Sequence, residues 1–278
     1  MTARSWLIVG HGSVGSSMAH RIDAAGDRVL VYDPAPRVAV TVGRRLERLA
    51  RADGPVDLVL SCVPPSVAEQ VPALIVPIVG NGSVLLDWNT VSPETKQAIA
   101  TASPCEVLDV ALLDTLDADG TRPRLAISGG RAEVHRPLLE ALGFHVDIAG
   151  AAPGQAALLK YARSIFMKSL EGLVLEYVAL TEPIDHDGIV AASLENNLGK
   201  QTMDFLALLV ATNRRHATRR AAELDDAVQV FTARGASIAV AKAVVPLLER
   251  AAQVWQQAGA PAEDASLQEL VLYLEQHL

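Results

Sequence analysis

Residues 5–22 read SWLIVGHGSVGSSMAHRI, and this stretch decides the fold. The apolar run Trp6–Val9 leads into Gly10, Gly12 and Gly15 in G-x-G-x-x-G spacing. Met18, Ala19 and Ile22 then recur at helical intervals. A strand, a glycine turn and a helix in this order are what dinucleotide binding requires. Gly10 permits the tight turn, Gly12 lets backbone approach a pyrophosphate, and Gly15 allows close helix–strand packing. The phosphates meet backbone N–H groups at the positive end of a helix dipole. Ser13 is placed to hydrogen-bond phosphate, and Val14 lies in the same turn. His11 is placed to touch phosphate or, as an ordinary loop histidine, to face solvent. A plain glycine turn is the alternative to cofactor binding.

The next apolar run, Val29–Tyr32, ends in Asp33, 18 residues after Gly15. An acid at this point grips the adenosine ribose and repels a 2′-phosphate, which favours NAD. Arg37 offers a guanidinium to a 2′-phosphate, so NADP stays open. Asp33 also has a simpler reading, as the start of a loop before Pro34.

Further short apolar runs follow at Leu58–Cys62, Val84–Asp87, Glu106–Val110 and Leu125–Ser128. Continuous apolar strands suit a parallel sheet buried on both faces, and helical patterns between them argue for βαβ units. After about Pro153 the texture becomes helical: 154–181, 188–213, 215–234, 236–259 and 264–277. The expected fold is an α/β Rossmann dinucleotide-binding domain, 1–152, followed by an all-α C-terminal domain, 153–278.

Composition narrows the function. The 278 residues are 50% hydrophobic and 20% charged, which excludes a disordered chain and fits about two domains. The net charge of −8 and 4% aromatics argue against nucleic acid as partner. No apolar run reaches the ~18 residues of a membrane span. The first ten residues are too short and too quickly interrupted for a secretory signal. Two cysteines make no disulfide framework. The expectation is a soluble cytoplasmic protein. No His/Cys/carboxylate cluster has metal-ligand spacing, and no G-x-S-x-G elbow is present. His186, between Asp185 and Asp187, reads as a loop or helix start.

Hydride transfer needs a proton donor or acceptor beside the reacting oxygen. The segment PGQAALLKYARSIFMKSLEG supplies one. Lys160, Ser164 and Glu171 fall within ~40° on a helix, with Arg163 and Lys168 on either side. Their apolar neighbours suggest burial, so these charges should face a cleft or one another. The alternative is a solvated stripe with pairs such as Lys168–Glu171. Burial and the cations Arg163 and Lys168 would lower the Lys160 pKa from ~10.4.

Together these segments resemble the β-hydroxyacid dehydrogenase superfamily, which contains 6-phosphogluconate and 3-hydroxyisobutyrate dehydrogenases and shares its fold with imine reductases. LIVGHGSVGSSMA is similar to the family's opening. LSCVPPSVAEQV resembles the strand whose end, Cys62–Val63–Pro64, passes the nicotinamide ribose. LLDWNTVSPETK resembles the D-x-x-T-x-S-P signature, carried by Asp87, Thr90, Ser92 and Pro93, which implies Asn89 and Thr90 near the cofactor. PGQAALLK resembles the interdomain-helix motif, which implies Lys160 as the catalytic lysine. Two features depart from the pattern. DVALLDTLDADG, with Leu113, Asp114 and Thr115, replaces the V-S-G-G substrate loop. Arg163 and Ser164 replace the Asn after the lysine.

KYARSIFMKSLEGLVLE resembles a less-studied branch with a 6-phosphogluconate dehydrogenase-like C-terminal domain. HATRRAAE, with His216, Arg219, Arg220 and Glu223, is similar to a pattern of that branch. The resemblance implies a homodimer and a small, anionic substrate met by Asp114, Arg163, Ser164, Lys168 and Arg220. A helix-surface salt-bridge stripe is the alternative for HATRRAAE. Three functions follow: hydroxy- or keto-acid redox with Lys160 as general acid/base; imine reduction, which Tyr161, Asp114 and Tyr177 keep open; and a non-catalytic dinucleotide sensor or scaffold.

Overall fold

The computed structural model describes residues 3–35, 39–116, 122–181, 187–199, 201–236, 238–257 and 259–278. Arg37 and His186 lie outside them. The contacts divide the chain into two compact units, 1–161 and 162–278.

The first unit is built on an eight-stranded sheet. In chain order its strands are β1 (Ser5–Val9), β2 (Arg28–Tyr32), β3 (Arg44–Arg45), β4 (Val56–Ser61), β5 (Val79–Asp87), β6 (Glu106–Leu112), β7 (Arg124–Ser128) and β8 (His145–Gly150). Their spatial order is β3-β2-β1-β4-β5-β6-β7-β8. All pairs are parallel except β6 with β7. The chain runs outward from β1 through β2 to β3, then returns to place β4 on the other side of β1. That reversal opens a crevice at the C-terminal ends of β1 and β4, where doubly wound sheets bind ligands.

The pleat sorts β1 cleanly. Trp6 and Ile8 enter one core with Met18, Ala19 and Ile22 of helix α1 (Ser13–Ala24). Leu7 and Val9 enter the opposite core with Ile75 of α2 (Val71–Ile75) and Ile99 of α3 (Pro93–Ala102). Successive residues of a strand point to opposite faces, so a continuous apolar run serves both. Helix α4 (Ala132–Ala141) covers the β7–β8 end with Leu139.

The six expected strands all form. The sequence reading missed β3 and β8. The two-residue β3 is too short for periodicity to reveal. β8, HVDIAG, mixes charge with small residues because it lies at the sheet edge.

Helix α5 (Gln155–Thr181) starts in the first unit and continues into the second. The expected boundary at 152/153 differs from the observed division, which falls after Tyr161. The first turn of α5 is tied to the sheet by Asp109 and Ser128 and so belongs with the first unit.

The second unit is helical: the rest of α5, α6 (Ile189–Leu198), α7 (Thr202–Ala233), α8 (Ala239–Trp255) and α9 (Leu267–His277). Leu175, Leu224, Leu248 and Leu274 form the centre of its core. Gly172 lies where α5 meets α8, and a Cβ there would come within 2.3 Å of Val244 Cγ1. The expected break near residue 214 is absent. Helix α7 runs through it, and the interruption lies instead before α7, where Gly199 takes φ +107°. Arg214 has no helix-breaking property, whereas glycine adopts such a φ without steric cost. Ser266 begins α9 with a capping box to Glu269. Among the described residues no helix is long and apolar enough to cross a membrane.

Candidate functional site

The glycine turn lies at the mouth of the crevice. Gly10 has φ +92°, and its N–H donates to Tyr32 O at 3.0 Å. A Cβ on Gly10 would meet Cys62 O at 2.5 Å, and one on Gly15 would meet Gly10 O at 2.1 Å. A Cβ on Gly12 would meet nothing within 4 Å. Two glycines therefore serve packing, while the third faces open space. Gly12 is the N-cap of α1 and supplies no side-chain cap, so Ser13, Val14 and Gly15 open the helix with unsatisfied N–H groups. Ser13 is exposed and Val14 half-buried. Open space before uncapped N–H groups and a helix dipole fits a pyrophosphate.

Asp33 closes this turn. Its Oδ2 accepts the His11 N–H at 2.7 Å and its Oδ1 accepts the Ala35 N–H at 2.8 Å. A carboxylate offers about four acceptor positions, so both oxygens retain capacity for ribose hydroxyls. Arg45, which sequence reasoning missed, donates to Asp33 O at 3.2 Å and Ala35 O at 2.9 Å. It brings a guanidinium to the loop where Arg37 was expected to act.

His11 corrects the expectation of a solvent-facing side chain: it is 4% exposed. Its main-chain bond to Asp33 draws it inward. Neither ring nitrogen has a hydrogen-bond partner among the described residues. Burial pushes its pKa below the ordinary value, with Asp33 opposing and His20 and Arg45 adding to the fall.

The strand β4 leads into Cys62, Val63 and Pro64. The Cys62 thiol donates to Gly10 O at 3.0 Å, and burial with the Asp33 charge pushes its pKa up to about 12. It packs against the glycine turn as a small side chain, and such burial disfavours the thiolate that a nucleophile needs. Pro64 is exposed. The Val63 N–H donates to Asn89 Oδ1 at 2.7 Å. Asn89 is buried, and its amide donates to Asp87 Oδ1 at 2.6 Å and Ser61 Oγ at 2.8 Å. Asn89 thus shapes the loop beside the crevice through its own bonds.

Behind it lies a charge cluster that the sequence concealed. Lys96 is 1% exposed, and Asp87 and Asp109 are fully buried. The Lys96 ammonium lies 3.2 Å from Asp87 Oδ2 and 3.2 Å from Asp109 Oδ1, and donates to Asp87 O at 2.7 Å. Asp109 Oδ2 accepts the N–H groups of Gly154 (2.9 Å) and Ala157 (3.1 Å) and the Ser128 hydroxyl (3.0 Å). Ser128 Oγ accepts the Ala156 N–H at 3.0 Å. The start of α5 is therefore capped from across the sheet.

One turn further along α5, the Lys160 ammonium donates to Thr90 Oγ1 at 2.9 Å. Lys160, Thr90, Asn89 and the buried Tyr161 surround one small gap in the first unit that has no room for a water molecule. The structure thus brings together the residues that the sequence proposed for catalysis and for the nicotinamide side.

The residues expected to meet substrate make the following contacts. Asp114 Oδ2 accepts the Arg124 N–H at 2.8 Å and holds the start of β7. Arg163 is exposed and Ser164 half-buried. Lys168 pairs with Glu223 at 2.9 Å, and Arg220 pairs with Glu171 at 2.5 Å. The alternative pair Lys168–Glu171 is thus replaced by two pairs reaching α7. Glu171 also accepts the Asn213 amide at 2.6 Å, and Asn213 Oδ1 accepts the Trp255 indole N–H at 2.7 Å. No group of metal-binding side chains occurs among the described residues.

No family model matches the chain. An uncharacterized 28.5 kDa protein of Methanothermus fervidus is 28% identical over 169 residues, 60% of this chain. The match covers 65% of that relative, less than two thirds of its length. Among solved structures, 3-hydroxyisobutyrate dehydrogenase of Salmonella typhimurium superposes with TM-score 0.74 at 17% identity, over 97% of this chain and 99% of that one. An imine reductase of Myxococcus stipitatus, solved with NAD+, gives 0.59 at 19% identity over 98% and 100%. A reductive aminase of Aspergillus terreus, solved with NADPH, gives 0.55 at 18% identity over 98% and 99%. A doubly wound sheet with its glycine turn at the switch point, followed by a helical unit, is the fold this chain shares with 3-hydroxyisobutyrate dehydrogenase of Salmonella typhimurium.

Proposed function

We propose that the chain is an NAD(P)-dependent oxidoreductase acting on a small hydroxy- or keto-acid, with Lys160 as general acid/base. The observation that carries this reading is the 2.9 Å contact of Lys160 with Thr90 at the edge of a sheet whose glycine turn fits a pyrophosphate.

The bound nicotinamide would supply or take the hydride. Ser13, Val14 and Gly15 would hold the pyrophosphate through backbone N–H groups, and Asp33 the adenosine ribose. Val63 and Asn89 would border the nicotinamide side. In reduction, Lys160 gives its proton to the carbonyl oxygen as that carbon receives hydride; in oxidation it takes the hydroxyl proton. Thr90 fixes the ammonium before substrate arrives. Asp33 favours NAD, while Arg45 of β3, which donates to the carbonyls of Asp33 and Ala35, would bring a cation toward a 2′-phosphate.

Imine reduction is the second reading. Its support is the fold shared with imine reductases and Tyr161, which borders the same small gap as Lys160. Oxidation of NADH and NADPH with a panel of 2- and 3-keto acids against cyclic imines separates the two. Turnover with keto acids that is lost in Lys160→Ala supports the first reading. Turnover with imines alone supports the second. Cofactor binding without any turnover favours the sensor.

We also propose a cytoplasmic homodimer. Phe166, Leu173 and Val240 are 67%, 59% and 71% exposed around an apolar groove between α5 and α8, and a second copy would cover them. Light scattering that reports only monomer would contradict this.

A further inference from the structure

Helix α7 carries Arg214, Arg215, His216 and Arg219 on adjoining turns, in a chain of net charge −8. They form one wall of a surface cavity of about 470 Å³ in the helical unit. Trp255 and Gln256, at the end of α8, form the facing wall, and Glu263 stands on the rim.

The cavity is positive. Three guanidiniums face one lining carboxylate, Glu263, which lies 3.4 Å from Arg215. Glu223 is 3.9 Å from Arg219 but is held by Lys168 at 2.9 Å. An excess of about two positive charges remains. The His216 imidazole responds to this field. Its pKa is pushed down first by burial, then by Arg219, Arg220 and Arg215, and Glu263 opposes with the smallest effect.

The wall is also fixed in place. Arg214 Nε donates to Pro261 O at 2.8 Å, and its guanidinium lies 5.5 Å from the Trp255 ring centroid. Trp255 is held by Asn213, and Asn213 by the buried Glu171. Gln256 Nε2 donates to Thr218 Oγ1 at 3.3 Å. The side chains of Arg215 and Arg219, by contrast, are 56% and 65% exposed and contribute little to the core. A fixed floor under solvent-facing guanidiniums is the arrangement of a receptor, since pre-organisation lowers the entropic cost of binding.

A lone carboxylate is satisfied by one guanidinium fork. Several guanidiniums with an excess of about two charges match a dianionic tetrahedral oxyanion, and the cavity has room for a short carbon skeleton besides. We propose that this cavity is a binding site for a small phosphate monoester. It shares no residue with the glycine turn and does not depend on the chain's being an oxidoreductase.

The test is calorimetric titration with inorganic phosphate and glycerol 3-phosphate against acetate, at constant ionic strength. Saturable phosphate binding is expected. In Arg215→Gln/Arg219→Gln it should weaken at least ~10-fold with no change in melting temperature, because two guanidiniums that attract the anion are removed. Arg48→Gln/Arg51→Gln, which removes equal charge from exposed sites of the first unit, should leave the affinity unchanged. The His216 ring-proton resonance of the unaltered chain should move with phosphate on the same curve, a readout that needs no variant. Phosphate affinity no greater than that of acetate, or equal in the Arg215/Arg219 variant, overturns the proposal. The second result would place the anion elsewhere, as at the N-terminus of α1.

Discussion

The Lys160 ammonium and the Thr90 hydroxyl are 2.9 Å apart, although 70 residues separate them in sequence. If Lys160 moves the proton, Lys160→Ala lowers kcat by ~10²–10⁴-fold, the usual worth of a positioned acid/base. Cofactor affinity, measured by fluorescence titration, stays within about twofold because the lysine is absent from the pyrophosphate cradle. Thr90→Val, which removes this hydrogen bond and keeps the ammonium, gives a smaller loss. Turnover unchanged in Lys160→Ala removes the lysine from the mechanism.

The glycines are predicted to separate binding from folding. Gly12 has φ −73° and open space, so Gly12→Ala keeps its melting temperature and loses cofactor affinity, because the new methyl occupies the phosphate cradle. Gly15→Ala places a Cβ 2.1 Å from Gly10 O and should cost about 1–3 kcal/mol of stability as an overpacked contact. Urea denaturation alongside cofactor titration distinguishes the two. Equal behaviour of both variants would contradict the assignment.

Lys96 is the cation shared by two buried aspartates. Lys96→Met leaves Asp87 and Asp109 facing each other without their cation, and removing one partner of a buried ion pair costs about 3–5 kcal/mol. Chemical denaturation should show a loss in this range. A loss below about 1 kcal/mol would mean that the cluster does not support the fold.

His11 makes the first unit acid-sensitive. Its folded pKa lies below the unfolded value of 6.5 because burial disfavours the charged ring. The stability it contributes is therefore present above pH 6.5 and lost as pH falls through the folded value. His11→Leu should flatten the part of the melting-temperature profile between pH 7 and 5 that this ring produces. An unchanged profile would show that the imidazole protonates without resistance.

The Cys62 thiol, with its pKa pushed up to about 12, should resist alkylation by iodoacetamide at pH 8 in the native chain and react readily in urea. Rapid native labelling, located at Cys62 by peptide mapping, would show that the turn opens.

The sheet and its crevice were legible because they rest on local signals. The run SWLIVGHGSVG carries strand, turn and helix start within a few residues, and the pleat of β1 follows from its apolar composition. The Lys96–Asp87–Asp109 cluster was not legible. In PETKQAIA, Lys96 looks like any solvated helix lysine, and only its i,i+3 spacing from the buried Ile99 hints that it points inward. Asp109 within the apolar run EVLDVAL was the stronger signal, since a carboxylate there must find partners. The partners of Lys168 and Arg220 were hidden for another reason: helix periodicity fixes a face but not the neighbouring helix. Arg45 was missed because β3 is two residues long and leaves no pattern.

Side-by-side titration of the unaltered chain with NADH and NADPH tests the central claim most directly. A ligand at ~100 times its dissociation constant adds ~2.7 kcal/mol of stability, which a melting curve registers as a rise of several degrees. Saturable binding of at least one cofactor, lost in Gly12→Ala, is the predicted result. No shift with either cofactor at millimolar concentration would contradict the account and leave a dehydrogenase fold without its cofactor.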